Sequence, residues 1–127
     1  MVKVFMMVGS ALAGLGVAGG AFARHSLKNR LSDHALDIFK TGIKYQMYHS
    51  LALLLVVLLL LLTDQQNSPS SLLWAGYGFI VGILIFSGSL YALSLTGIKW
   101  LGAITPIGGA AFIIGWGSLI ITAWNWK

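Results

Sequence analysis

Residues 51–62 read LALLLVVLLLLL, an unbroken apolar run with no charged residue, glycine or proline in it. A helix that is apolar on every side is surrounded by lipid or by other apolar helices. The run ends a longer stretch, 43–62, which has about the 20 residues that a helix needs to cross roughly 30 Å of hydrocarbon. These residues predict a transmembrane helix.

Three further stretches, 4–23, 72–95 and 101–123, have similar length and hydropathy, and the mean hydropathy of the chain is +0.86. Long apolar windows of this kind identify membrane-spanning helices. Lipid offers no hydrogen-bond partners to the backbone, so the spanning segments must be helical. We therefore predict an all-α fold, an integral membrane four-helix bundle that forms a single domain over residues 1–127.

An amphipathic extension is predicted to lead into the second span. Ser32 can cap the free N–H groups of a helix start, and Asp33 suits the positive end of the helix dipole. Leu36 and Phe39 then follow at helical spacing, with the charged Lys40 beside them. We expect this segment to lie at the membrane surface.

The connections contain helix-breaking residues. Residues 64–71, which include Gln65 and Pro69, are predicted to form an exposed loop, and Gly97 is predicted to end the third span. Pro106 removes a backbone donor and is predicted to kink the fourth helix near its start.

The distribution of lysine and arginine predicts the orientation. If the spans alternate, only Lys3 and Lys127 lie on one side of the membrane. The other side carries Arg24, Lys28, Arg30, Lys40, Lys44 and Lys99. Basic residues in short loops stay in the cytoplasm, so both termini are predicted to be non-cytoplasmic.

The same basic residues indicate which kind of partner the chain contacts. The chain has 8 basic and 3 acidic side chains, but the excess lies in one short segment beside the membrane. This placement favours contact with membrane lipids over nucleic-acid binding, with Arg24, Lys28 and Arg30 as candidate ligands of lipid headgroups.

Small residues recur at helical spacing on the first and third spans. Such faces let helices approach closely in lipid, either within the bundle or between this chain and a second copy or another membrane protein. On the first span Ser10, Gly14 and Ala18 form one face, and Ala13, Gly16 and Gly20 form another. The candidate packing glycines are Gly14, Gly16, Gly20, Gly78 and Gly82.

A polar cluster is predicted where the second span enters the membrane. Tyr45 and His49 are four residues apart and Gln46 and His49 three apart, so they share a face that should point into the bundle. The members of this predicted cluster are Tyr45, Gln46, Tyr48, His49, Ser87, Ser89, Tyr91 and Thr105. We interpret it as a set of hydrogen bonds between helices; a proton-carrying His49, or one that ligates a haem or pigment, is the alternative.

The sequence offers little to catalysis. It has no cysteine and no glutamate, and Asp33, Asp37 and Asp64 all lie outside the predicted spans. Thiolate chemistry is thereby excluded, and a proton pump would be expected to have a buried carboxylate. Three histidines without cysteine or nearby carboxylates are a weak metal signal. We expect no enzyme activity, no metal and no cofactor.

Four segments resemble the domain-of-unknown-function 423 family, a family of small four-span bacterial inner-membrane proteins. They are GAFARHSL at 20–27, TGIKYQMYHSLAL at 41–53, FSGSLY at 86–91 and LGAITPIGG at 101–109. The resemblance implies a four-helix membrane fold and a place in a bacterial inner (plasma) membrane or a thylakoid membrane, and it implies no activity. It marks as motif positions His25, Gln46, Tyr48, His49, Ser87, Ser89, Tyr91, Thr105 and Pro106.

These observations predict a non-enzymatic accessory or interaction subunit of a larger membrane assembly. The alternative is a carrier or channel for a small neutral or lipid-like solute that uses the polar cluster. A continuous polar cavity would favour the carrier, whereas a dry bundle would favour the accessory subunit.

Overall fold

A computed structural model of the chain describes residues 1–64 and 66–127, so Gln65 of the predicted loop lies outside the described residues. Four helical segments are long and apolar enough to cross a membrane, as predicted. Helix α1 is Val2–His25 and α2 is Asp33–Leu62. The third span comprises α3, Ser70–Gly82, a π-helical turn, Ile83–Ser87, and α4, Gly88–Thr96. The fourth begins with a 3₁₀ turn, Lys99–Ala103, and continues as α5, Thr105–Trp124.

Local signals at the helix ends act as predicted in two places. The Ser32 hydroxyl accepts a hydrogen bond from the backbone N–H of Ala35 at 3.1 Å, which caps α2. Gly97 ends α4 with φ at 72°, and its N–H donates to the carbonyl of Leu93 at 2.8 Å. A left-handed residue at this position is strained for side chains other than glycine's, which explains the stop.

Pro106 lies near the start of the fourth span, where the helix changes from 3₁₀ to α geometry. Pro106 lies in the first turn of α5, directly after the 3₁₀ turn, so the fourth span starts a new helix there. The first N–H groups of a helix have no partner inside the helix, so proline costs no hydrogen bond at such a position.

Helix α2 is at the centre of the bundle. It packs against α1, where Gly16 meets Met47, against α4, where Gly42 meets Tyr91, and against α3, while the His49 side chain reaches α5. The main core lies in one half of the bundle and includes Phe5, Leu53, Val56, Leu72, Phe79 and Phe112. A second apolar cluster, Ala23, Leu27, Leu36 and Phe39, lies at the other end. In this cluster Leu36 and Phe39, the apolar side of the predicted extension, pack against Ala23 and Leu27.

Both termini lie at the same end of the bundle. The Tyr77 hydroxyl, at the start of the third span, donates to the sulfur of Met1 at 3.6 Å. Six residues earlier, the hydroxyls of Ser71 and Thr122 are 2.6 Å apart, which joins the start of α3 to the end of α5. The end that holds Arg24, Lys40 and Lys99 is therefore opposite to the termini.

Candidate functional site

Besides the Ser71–Thr122 pair, the described residues form four separate hydrogen-bonded ties between helices, most of them built from the predicted polar residues. The buried stripe of α2 supplies Gly42, Gln46 and His49, which repeat every three or four residues. This spacing keeps them on one side of the helix, facing α1, the third span and α5.

Gln46 joins three helices and is only 5% exposed. Its Nε2 donates to the carbonyl oxygen of Leu12 on α1 at 2.7 Å, and its Oε1 accepts from the Tyr91 hydroxyl on α4 at 2.6 Å. An amide is suited to this place because it carries donors and an acceptor on one group. Gln46 thereby joins both α1 and α4 to the same side of α2.

His49 joins α2 to α5. Its Nδ1 lies 2.7 Å from the carbonyl oxygen of Tyr45, and its Nε2 accepts from the indole N–H of Trp116 at 3.1 Å. A carbonyl can only accept and an indole N–H can only donate, so these two partners require the neutral imidazole with its proton on Nδ1. The ring also stacks on Phe112 with centroids 3.5 Å apart.

This pairing bears on the alternative role of His49 as a ligand of haem or pigment. An axial ligand offers a ring nitrogen lone pair to the metal. The Nε2 lone pair is occupied by Trp116, and Nδ1 is occupied by Tyr45. Among the described residues, no three His, Asp or Glu side chains come together in a group that could hold a metal ion.

Two serines of the third span form the remaining ties. The Ser87 hydroxyl, inside the π-helical turn, donates to the carbonyl oxygen of Gly42 at 2.6 Å. The hydroxyls of Ser89 and Thr105 are 2.6 Å apart and join α4 to α5. Ser89 also donates to the carbonyl of Phe86, so Thr105 is the donor between the two hydroxyls.

The structure does not gather all the predicted residues into one cluster. Tyr48 is 55% exposed on the outer side of α2, so its predicted place in the buried cluster is wrong. Tyr45 lies at the rim, 36% exposed, with its ring centroid 4.5 Å from that of Phe86. Trp116, which the sequence reasoning did not select, is the partner of His49; its position on α5 carries no polar neighbour that would have signalled it.

The predicted packing glycines differ in how closely a neighbouring helix approaches them. A Cβ at Gly78 would lie 2.9 Å from the carbonyl oxygen of Ala111, and one at Gly82 would overlap the Phe112 ring. Gly16 contacts Met47, and Gly20 is near Ile43. Gly14 is exposed, and a Cβ there would have no neighbour within 4 Å, so its predicted packing inside the bundle is wrong. The close contacts at Gly42, Gly76, Gly108 and Gly115 were missed.

Two grooves open at the surface near these ties. One, of about 280 Å³, lies between α1 and the third span and has Gln46 and Tyr91 among its lining residues. The other, of about 580 Å³, lies between the end of α1 and the start of α2 and is lined by Arg24 and Lys28. Arg30, the third predicted headgroup ligand, is exposed but does not line it.

Comparison with known proteins gives a consistent result. The family described as "Protein of unknown function (DUF423)" matches residues 19–109. A UPF0382 membrane protein of Staphylococcus aureus is 45% identical over 97% of each chain. The UPF0382 membrane protein YwdK of Bacillus subtilis is 44% identical over 95% of this chain and 96% of its own. No solved structure shows a significant match.

Proposed function

Since the chain belongs to the DUF423 family, whose bacterial relatives are membrane proteins, we propose that it is a non-enzymatic accessory subunit that binds another membrane protein through the outer face of α1. The observation that carries this proposal is the saturation of the interior. Within residues 1–64 and 66–127, no buried side-chain nitrogen or oxygen lacks a hydrogen-bond partner. Buried polar groups that each have a partner within the bundle hold helices in register, a structural role that requires no substrate.

The outer face of α1 offers a surface for a partner helix. Ser10, Gly14 and Ala18 are all exposed and follow one another at intervals of four residues. The other small-residue face of α1, which includes Gly16, already packs on α2. Without a hydrophobic effect between helices in lipid, small residues favour association because they let two backbones approach closely.

The experiment is gentle extraction of a tagged chain from its native membrane, followed by mass spectrometry of the proteins that accompany it. Gly14→Leu should lose the partner. Gly117→Leu on α5 is the matched control, because its Cβ also has no neighbour within 4 Å but it lies among exposed isoleucines. Recovery of the same proteins with all three chains would contradict the proposal. A differently tagged second copy that co-purifies would identify the partner as the chain itself.

Carriage of a lipid-like solute is the second candidate, and the groove between α1 and the third span is the observation that favours it. Its wall is mostly apolar, while Gln46 and Tyr91 contribute polar atoms. Gly88 lines this groove and a Cβ there would meet nothing within 4 Å, so Gly88→Phe should fill it. A lipid-like compound that co-purifies with the wild-type chain and is lost in this variant would favour the carrier.

We further infer that the chain lies in the bacterial plasma membrane with both termini outside the cytoplasm. The bacterial relatives and the excess of basic residues at the end opposite to the termini support this orientation. A reporter fused after Lys127 that is active only in the cytoplasm would reverse it.

A further inference from the structure

The groove between the end of α1 and the start of α2 brings together three cationic side chains from different parts of the sequence. Arg24 comes from the last turn of α1, Lys28 from the 3₁₀ turn that follows, and Lys40 from the second turn of α2. All three are exposed, and the groove they line has a volume of about 580 Å³.

The charge in the groove is strongly unbalanced. Asp33 is its one acidic lining residue, so three cations face a single carboxylate. The whole chain has only 3 acidic side chains, and the other two, Asp37 and Asp64, do not line the groove. Arginine and lysine bind phosphate oxygens through charge-assisted hydrogen bonds, which makes a phosphate group the complementary ligand.

The position of the groove favours a lipid phosphate over a soluble one. Its other wall is apolar and includes Gly20, Ala23 and Leu36, and it lies where two membrane-spanning helices end. Anionic headgroups are found at this depth, and acyl chains begin beside them. We propose that the groove is a specific site for one anionic phospholipid, whose phosphate lies among Arg24, Lys28 and Lys40.

A specific site and a diffuse basic surface would bind a phosphate through different sets of residues. Arg30 is two positions from Lys28 and is equally charged and exposed, yet it does not line the groove. Lys40 is twelve positions from Lys28 and does line it. A diffuse electrostatic attraction would make Arg30 and Lys40 equally important for binding. A built site would depend on Lys40 and not on Arg30.

The experiment measures binding of phosphatidylglycerol to the purified full chain in detergent by native mass spectrometry. Phosphatidylcholine and inorganic phosphate are the comparison ligands. We expect one phosphatidylglycerol per chain, bound more tightly than phosphatidylcholine and not displaced by an equal concentration of phosphate. Each cation near a membrane surface contributes about 1 kcal/mol, so Arg24→Gln, Lys28→Gln and Lys40→Gln should each weaken binding about five-fold.

Two further variants make the result specific. Arg30→Gln removes the same charge outside the groove. Because salt screens a charge at that distance, the affinity should change less than about two-fold. Asp33→Asn removes the opposing carboxylate and should tighten binding. Equal losses in Arg30→Gln and Lys40→Gln, equal affinity for the two phospholipids, or displacement by phosphate would each overturn the proposal. The arginine and lysine side chains that are replaced are exposed, so the thermal unfolding of those variants without added lipid should match that of the wild type.

Discussion

Trp116 donates its indole N–H to Nε2 of His49 across 3.1 Å and so connects α5 to the most buried face of α2. His49 is 5% exposed and Trp116 is 43% exposed, so the tie runs from the interior to the outer surface. With Nδ1 facing the carbonyl of Tyr45, the imidazole is held in a single neutral form. A histidine with both nitrogens occupied acts here as a structural connector.

The first prediction concerns this pair. Trp116→Phe keeps an aromatic ring against Phe79 and removes the N–H donor together with part of the indole surface. We expect it to lower the free energy of unfolding by about 0.5–1.5 kcal/mol, the usual range for hydrogen bonds between membrane helices. Reversible denaturation in mixed micelles measures the change. In a double-mutant cycle, Trp116→Phe and His49→Leu should be coupled, because each removes one end of the same bond.

Trp124 provides the control for that cycle. It is 88% exposed at the end of α5, so Trp124→Phe should be additive with His49→Leu. If Trp116→Phe were equally additive, the bond between Trp116 and His49 would not contribute to stability.

The second prediction uses the direction of the hydrogen bonds at Gln46. Its Nε2 faces the carbonyl oxygen of Leu12, so the carboxylate of Gln46→Glu would place an oxygen against another acceptor and would have to take up a proton to restore the bond. Leaving a buried polar group without its partner costs about 1–3 kcal/mol, and a carboxylate costs more. We expect Gln46→Glu to be among the most destabilising isosteric changes in the chain.

Gln66→Glu is its matched control, because Gln66 is exposed in the connection between α2 and α3. The same change of charge there should leave the unfolding transition within about 0.5 kcal/mol of the wild type. Equal unfolding of the two variants would argue that Gln46 does not form the tie between α1 and α4.

The third prediction tests the start of α2. Ser32→Ala removes the acceptor of the Ala35 N–H, and loss of such a cap costs about 0.5–2 kcal/mol. Hydrogen exchange should therefore become faster at the amides of residues 33–36. Ser70→Ala is the control, since Ser70 is at the start of α3 and the residue capping that helix, Pro69, makes no side-chain cap. Faster exchange in both variants would indicate general loosening.

The spans and the helix ends could be predicted because the bilayer imposes strong and local requirements on sequence. An apolar run of the necessary length must be a helix in lipid, and Ser32 and Gly97 act within a few residues of their own positions. Helical spacing was enough to select Gln46 and His49, which are both buried on one side of α2. It failed at Tyr48, which is close in sequence but lies on the other side of the helix from the stripe of Gly42, Gln46 and His49.

The remaining features depend on how helices meet, which no single helix encodes. The π-helical turn at Ile83–Ser87 lies where the backbone of Phe86 comes so close to Gly108 that a Cβ on Gly108 would overlap it. Nothing in ILIFS distinguishes this turn from ordinary helix. The roles of Trp116 and Gly14 likewise follow from the rotation of α5 and α1 about their axes.

The fourth prediction tests whether close approach of α3 and α5 stabilises the bundle. A Cβ at Gly78 would lie 2.9 Å from the carbonyl oxygen of Ala111 and 3.0 Å from both N and Cα of Gly115. These neighbours are backbone atoms, so they cannot move aside without separating the helices. We expect Gly78→Ala to cost about 1–3 kcal/mol, the usual penalty for overpacking.

At Gly16 the nearest atom is the flexible Met47 sulfur, so Gly16→Ala should cost less. At Gly117 the Cβ meets nothing, and Gly117→Ala should be neutral or stabilising because alanine favours helix. Unfolding in mixed micelles ranks the three variants, and a Gly78→Ala chain as stable as Gly117→Ala would mean that α3 and α5 are farther apart than the structure has them.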